Sequence, residues 1–301
     1  MRALLRRAVR HLADSLGADV VDRTMYSPVP AVPAPDDPVW SKPRPLLGLE
    51  LDLEAQFRFV ESQLTPYLGE FDPPRQEGAP GDFHLWNTWY QGGDAELLYA
   101  MVRLLQPRRV LELGSGWSTL VTARACAVNA THGAPAEFTT TDPEPRLGVD
   151  PPPPGLTRLE RVAAQELPME RFLALEAGDV LFVDTTHTVK LGSEVNRLVL
   201  EVLPRLASGV TVHFHDIYLP WEYPRFWYER GTYLNEQDLL QAFLSSNPDW
   251  EVLLAVHALA RTDRDRLARS IVSLSERVAR AGPSAFWIRR RGEDRRLRLG
   301  D

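Results

Sequence analysis

The sequence is poor in several things, and each shortage excludes something. One cysteine among 301 residues, Cys126, rules out an intrachain disulfide. That fits a reducing compartment, so a cytoplasmic protein is expected. Basic charge is in deficit, with 34 Lys and Arg against 41 Asp and Glu and a net charge of -7. A dedicated nucleic-acid partner is not expected on that balance. No apolar run approaches the roughly 20 residues that a bilayer span requires, and no membrane association is expected. The amino-terminal MRALLRRAVRHLADSLG also lacks an uninterrupted apolar segment, because Arg6, Arg7 and Arg10 break it, so it does not read as a signal peptide.

What is present begins with that same stretch. Leu5, Val9, Leu12 and Leu16 recur at helical spacing, which predicts a helix docked on the body or on a second subunit. A homo-oligomer is left open. Seven prolines between Pro28 and Pro45 predict an extended linker or wrapping arm, and Leu49 to Leu68 predicts a helix. Residues 1–82 thus read as a helical and Pro-rich extension, residues 83–291 as the main domain, and residues 292–301 as a basic tail.

From Asp94 onward helix and strand patterns alternate. Strands are predicted at Arg109 to Leu113, Glu137 to Thr141, Leu156 to Val162, Asp179 to Val183, Gly209 to Phe214, Trp250 to Val256 and Ala285 to Ile288. Helices are predicted at Asp94 to Leu105, Ser118 to Val128, Leu167 to Glu176, Gly192 to Leu206 and Asn235 to Leu244, with one more before the last strand. This alternation implies an α/β fold, a Rossmann-like, doubly wound, seven-stranded and mostly parallel sheet with helices on both faces. The last two strands are candidates for an antiparallel closing pair.

In such sheets ligands sit at the carboxyl ends of strands, where strand order reverses. VLELGSGWST, Val110 to Thr119, ends the first strand of the alternating region with Gly114 and Gly116 one residue apart. Glycines there permit a sharp turn and a close approach to a ligand. Ser118 and Thr119 then open the next helix with free backbone N–H groups. Thr119 stands where a dinucleotide fold has its third glycine, and no Gly-Lys-Ser/Thr follows. With Asp142 ending the next strand, ready for a ribose diol, the pattern fits a nucleoside without a pyrophosphate.

VLELGSGWST and TTTDPEP resemble the first and second motifs of class I S-adenosylmethionine-dependent methyltransferases. The block FVDTTHTVKLGSEVNRLVLEVLPRLASGVTVHFHDIYLPWEYP is similar to a bacterial subgroup with D-x-x-H after the fourth strand and H-x-H-D after the fifth. The resemblance covers about Phe83 to Ile288 and implies S-adenosyl-L-methionine as cofactor. It implies that Glu112, Gly114, Ser115, Gly116 and the helix start at Ser118 line that cofactor, with Asp142 on the ribose hydroxyls and Gln165 toward the adenine. Asp94 and the preceding Gln91-Gly92-Gly93 border the methionine end.

For the chemistry, Asp184 and His187 follow the fourth strand and His213, His215 and Asp216 end the fifth. In-line methyl transfer to an oxygen needs a group that takes the acceptor's proton. His187, His215 and Asp184 are the candidate catalytic residues, and either histidine suits the base at neutral pH. Asp184 and Asp216 match the places of divalent-metal ligands in some similar O-methyltransferases, which leaves Mg2+ or another divalent metal open. Ile217 and His187 depart from that pattern, standing where an amide ligand and a lysine are common. His84, His132 and His257 are expected to be structural. The aromatic stretch YLPWEYPRFWYERGTYLNEQ reads equally as a lid or as a loop packed on its own domain or on a dimer mate. The expected activity is O-methylation of a small-molecule substrate. A metal-dependent hydroxylase or oxygenase on the same fold, and a non-catalytic cofactor-binding assembly subunit, are the alternatives.

Overall fold

The computed structural model describes residues 2–18, 20–21, 24, 27, 29–79, 81–145, 152–277 and 282–291. The expected basic tail, 292–301, lies outside the described residues. Seven strands form one sheet: β1 (Arg109–Leu113), β2 (Glu137–Thr141), β3 (Arg158–Glu160), β4 (Val180–Val183), β5 (Thr211–Phe214), β6 (Trp250–Ala255) and β7 (Phe286–Arg290). Their order is β3-β2-β1-β4-β5-β7-β6. Every pairing is parallel except those of β7, which runs antiparallel to both β5 and β6. The expected α/β sheet with helices on both faces is therefore present, and β7 inserts between β5 and β6.

Alternation along each strand builds two cores. On β1, Val110 joins one cluster with Phe138, Val180 and Phe182, while Leu111 and Leu113 join the other with Leu181, Val183, Val212 and Phe214. Successive side chains of a strand point to opposite faces, so a strand apolar at nearly every position must be covered twice. Helices are numbered in chain order. An isolated α1 (Arg2–Ser15) precedes α2 (Leu53–Phe59) and α3 (Thr65–Leu68), which a wider turn at Val60–Leu64 joins into one rod. The rod packs on the first face with α4 (Asp94–Leu105) and α5 (Trp117–Thr131). Short helix α6 (Met169–Leu173) lies on the second face, and α7 (Glu194–Arg197) leads into a wider turn at Leu198–Val202 that packs there too. After α8 (Arg225–Glu229), α9 (Glu236–Leu244) also covers the second face. Helices α10 (Val256–Thr262), α11 (Arg264–Ser270) and α12 (Ser273–Glu276) fill the excursion between β6 and β7, where one helix is expected from sequence.

The two parts of the extension differ. The amino-terminal helix forms, yet Val9, Leu12 and Leu16 on its apolar stripe are exposed, so that stripe is not docked on the body. A stripe interrupted by arginines offers little apolar area to bury. The proline-rich arm, by contrast, is fastened from Trp40 onward. The Arg44 amide donates to Pro220 C=O at 2.8 Å, its guanidinium contacts Glu222 and Asp238, and the Trp221 indole donates to Ser41 C=O at 3.2 Å. No helix among the described residues is long and apolar enough to cross a membrane.

Candidate active site

β1 lies between β2 and β4, so the chain leaves β1 in one direction across the sheet and returns on the other side. That reversal opens a crevice at the carboxyl ends of β1, β2, β4 and β5, and the predicted site residues gather there. Gly114 has φ +90°, and a Cβ on it would stand 1.9 Å from the Asp184 carbonyl oxygen, so the close approach of β1 to β4 admits no side chain. The Asp184 amide in turn donates to Leu113 C=O at 3.0 Å. Gly116 is different: its backbone is extended, and a Cβ there would meet nothing within 4 Å.

The acidic groups around this turn occupy distinct environments. Asp142 accepts from both the amide (2.9 Å) and the hydroxyl (3.0 Å) of Ser115, which fixes its carboxylate against the glycine turn. Glu112 is fully buried and accepts from Ser118 Oγ (2.7 Å) and Thr119 Oγ1 (2.8 Å). Burial pushes its carboxyl up to about 7 against the lowering effect of those hydroxyls. Glu112 and Ser118 therefore engage each other beneath the turn. Gln165, in the short turn after β3, is exposed, and its carbonyl accepts from Arg197.

One strand over, two histidines meet the paired aspartates. His187 Nε2 is 3.1 Å from Asp184 Oδ1 and 3.7 Å from Asp216 Oδ2, while its Nδ1 is 2.7 Å from Glu236 Oε2. His215 Nδ1 stands 3.6 Å from Asp184 Oδ2 and 3.7 Å from Asp216 Oδ1, and its Nε2 is 3.5 Å from Asp94 Oδ2. Each ring thus has one nitrogen toward the aspartate pair and a further carboxylate behind it. His187 and Asp216 both adopt left-handed φ values, +53° and +55°, uncommon for residues with side chains and often held at functional sites.

The charges are strongly coupled. Burial pulls the His187 imidazole down, but its hydrogen bonds to Asp184 and Glu236 outweigh this and hold it well above the ordinary histidine value. Burial likewise opposes protonation of His215, and the charges of Asp216 and Asp184 prevail and raise it. For Asp184, burial raises the carboxyl while the two imidazoles lower it further, leaving it below the usual carboxylate range. The side chains of His187, His215 and Asp94 are almost wholly covered, whereas those of Asp184 and Asp216 retain 31% and 19% exposure. A ligand therefore reaches this cluster past the two aspartates.

Three further groups bear on the site, and of these only Glu236 is not named from sequence. His213 shares a strand face with His215 but lies in the core, stacked on the Phe182 ring at 4.2 Å and edge-on to Trp287. Burial holds it well below the ordinary histidine value. Glu236, in the first turn of α9, was not singled out from sequence. It lies 49 positions from His187, and its only local signal is an acidic residue at a helix start, a common feature of solvated helices. Asp94 accepts from the Ser284 and Ala285 amides as well as facing His215, which ties the start of α4 to the strand ends. His257 is structural, bonded to Pro283 C=O and edge-on to Tyr218. The aromatic stretch after β5 packs mainly on its own domain: Tyr218 and Tyr223 are buried, and Tyr228 meets Trp40 of the arm at 5.5 Å.

Residues 111–217, from within β1 to just past Asp216, match the family model described as a methyltransferase domain. The match spans about a third of the chain. It contains the glycine turn, Asp142, and the whole Asp184/His187/His215/Asp216 cluster, while Asp94 and Glu236 reach the cluster from outside it. No curated protein matches the chain significantly. Among solved structures, the chain is similar to a methyltransferase from Geobacter sulfurreducens, 15% identical over 66% of this chain and 78% of that one, with a TM-score of 0.37. It is also similar to the plantazolicin methyltransferase BamL, solved with a triazolic desmethylPZN analog and SAH, at 11% identity over 80% and 95% of the two chains and a TM-score of 0.41.

Proposed function

We propose that the chain is an S-adenosyl-L-methionine-dependent methyltransferase that methylates an oxygen of a small-molecule acceptor by in-line transfer. The observation that carries this reading is the juxtaposition of two half-sites across the β1/β4 reversal. On one side, the Gly114-Ser115-Gly116 turn leaves open space above Gly116, and Asp142 is fixed beside it by Ser115. That suits a nucleoside whose ribose diol meets Asp142 and whose methionine moiety passes over the glycines. On the other side, Asp184, His187, His215 and Asp216 offer a proton acceptor and cation ligands where a methyl group would be delivered.

His215 is the better placed of the two bases. Both ring nitrogens of His187 are hydrogen-bonded to carboxylates, at 2.7 and 3.1 Å. The carboxylates facing His215 stand at 3.5–3.7 Å, the outer edge of hydrogen-bond distance, so its ring is the more loosely held; the same carboxylates raise it, and it accepts the acceptor's proton only from the fraction that has lost its own. Asp184 and Asp216 suit a divalent ion, since they and His187 each offer one ligand atom within 4.8 Å of the others. Such an ion would neutralise the carboxylates and polarise the acceptor oxygen.

Calorimetric titration with S-adenosylhomocysteine tests the cofactor half. One equivalent is expected to bind, and Asp142→Ala is expected to weaken it roughly 10- to 100-fold, the value of a charge-assisted hydrogen-bond pair. Absence of binding to the unsubstituted chain refutes the reading. If an acceptor is turned over, His215→Ala is expected to lower kcat with little change in cofactor affinity.

A further inference from the structure

The proposed methyl-transfer site holds an unusual combination, a buried carboxylate behind each imidazole and a pair of aspartates in front. We propose that Asp184, His187 and Asp216 bind a borderline transition ion, such as iron(II), cobalt(II) or zinc(II), in preference to magnesium, and that Glu236 is the positioning residue of that centre. The proposal rests on the functional reading above for its location but not for its test.

The geometry points there in three ways. Ligand atoms around one ion at about 2.1 Å stand roughly 3 Å or more apart. The His187 Nε2 separations from Asp184 Oδ1 (3.1 Å) and Asp216 Oδ2 (3.7 Å) fall in that range. Next, the 2.7 Å contact between Glu236 Oε2 and His187 Nδ1 fixes the ring so that Nε2 faces the two aspartates, where a bound ion would take the place of the Nε2 proton. Glu236 has no exposed surface, and its second oxygen, Oε1, is buried without a hydrogen-bond partner. Burying a half-satisfied carboxylate costs stability, so its placement is explained by what it does to His187 rather than by what it adds to the fold. Finally, the backbone repeats the constraint. The His187 carbonyl accepts from the amides of Asn235 and Glu236, and the Val189 amide donates to Asn235 Oδ1 at 2.6 Å. The start of α9 therefore grips the His187 loop through main chain and side chain together.

The donor types then select the ion. Magnesium takes oxygen ligands and parts reluctantly with water, whereas an imidazole nitrogen beside two carboxylates suits a borderline transition ion. Carboxylates in this cluster also outnumber imidazoles, four to two, counting Asp94 and Glu236 with the aspartate pair, and a dication offsets that excess.

The test uses the full chain, stripped with a chelator and titrated with cobalt(II), zinc(II) or magnesium alone, without cofactor or acceptor. Calorimetry and elemental analysis are expected to give one equivalent of cobalt or zinc, bound at least roughly tenfold tighter than magnesium. The visible spectrum of the cobalt form is expected to show nitrogen ligation that disappears in His187→Ala. Glu236→Gln is expected to weaken cobalt binding roughly 10- to 100-fold with the melting temperature retained. If that variant does not fold, Glu236→Asp, which shortens the reach to His187 Nδ1 while keeping the charge, gives the same comparison. Magnesium bound as tightly as cobalt, no stoichiometric binding of any of these ions, or affinities unchanged in the variants would overturn the proposal. Loss of the methyltransferase reading registers separately, as absent S-adenosylhomocysteine binding in the same calorimeter, and leaves the metal result standing.

Discussion

The two glycines of the β1 turn make opposite demands, and exchanging each for alanine separates structure from ligand binding. At Gly114 an added Cβ meets the Asp184 carbonyl oxygen at 1.9 Å, about 1 Å inside any real contact, and φ is +90°. The left-handed backbone costs an L-residue about 1–2 kcal/mol. Because the obstacle is backbone of the neighbouring strand, relief requires β4 to shift at its carboxyl end, at roughly 1–3 kcal/mol of overpacking strain. Gly114→Ala should therefore lose about 2–5 kcal/mol and melt on the order of 5–10 °C lower. Since Asp184 is the residue displaced, S-adenosylhomocysteine and metal affinities should both fall. At Gly116 the backbone is extended and the Cβ has open space, so Gly116→Ala should melt within about 2 °C of the parent. That same open space is where the cofactor is proposed to pass, so Gly116→Ala should still weaken its binding. Differential scanning calorimetry beside cofactor titration makes the comparison. A Gly114→Ala protein that melts like the parent, or a Gly116→Ala protein that melts as low as Gly114→Ala, refutes the reasoning.

Two other consequences follow from buried groups. Glu112 is pushed up to about 7 from 4.5, so between those pH values the unfolded chain releases a proton that the folded chain keeps. Stability should therefore fall as pH rises through this window, by about 3 kcal/mol at most, and Glu112→Gln should remove that slope. Urea unfolding of both proteins at pH 5 and pH 7.5 checks it, and parallel profiles would contradict it. Cys126 is buried and its thiol is pushed up to about 12, so a disulfide reagent at pH 8 should find no reactive thiol in the native protein and one in urea. Rapid native labelling would show that α5 opens far more readily than its packing implies.

The sheet was readable from sequence because burial on both faces leaves continuous apolar strands between amphipathic segments. β1 and β2 were placed with their observed limits, and β4 and β5 within one or two residues. Boundaries failed where local signals conflict. The excursion before β7 breaks into three short helices rather than one. The insertion of β7 between β5 and β6 comes from long-range pairing that leaves no mark in either segment.

At the site, sequence by itself determined which chemistry is available: a Gly-x-Gly turn, an acid ending β2, and D-x-x-H and H-x-H-D after two apolar strands. Their spacing and parallel register bring them to one edge almost automatically. Only the tertiary structure decided how these groups divide. His213 and His215 alternate onto the same face, yet the first stacks inside the core and the second reaches the aspartates, because the crevice begins only past the strand end. Glu112 and Ser118 pair beneath the turn, while Glu236 arrives from α9, 49 positions away from the His187 it holds. A strand carries its facing pattern in its own residues, whereas a contact between a loop and a distant helix start depends on how the whole chain closes.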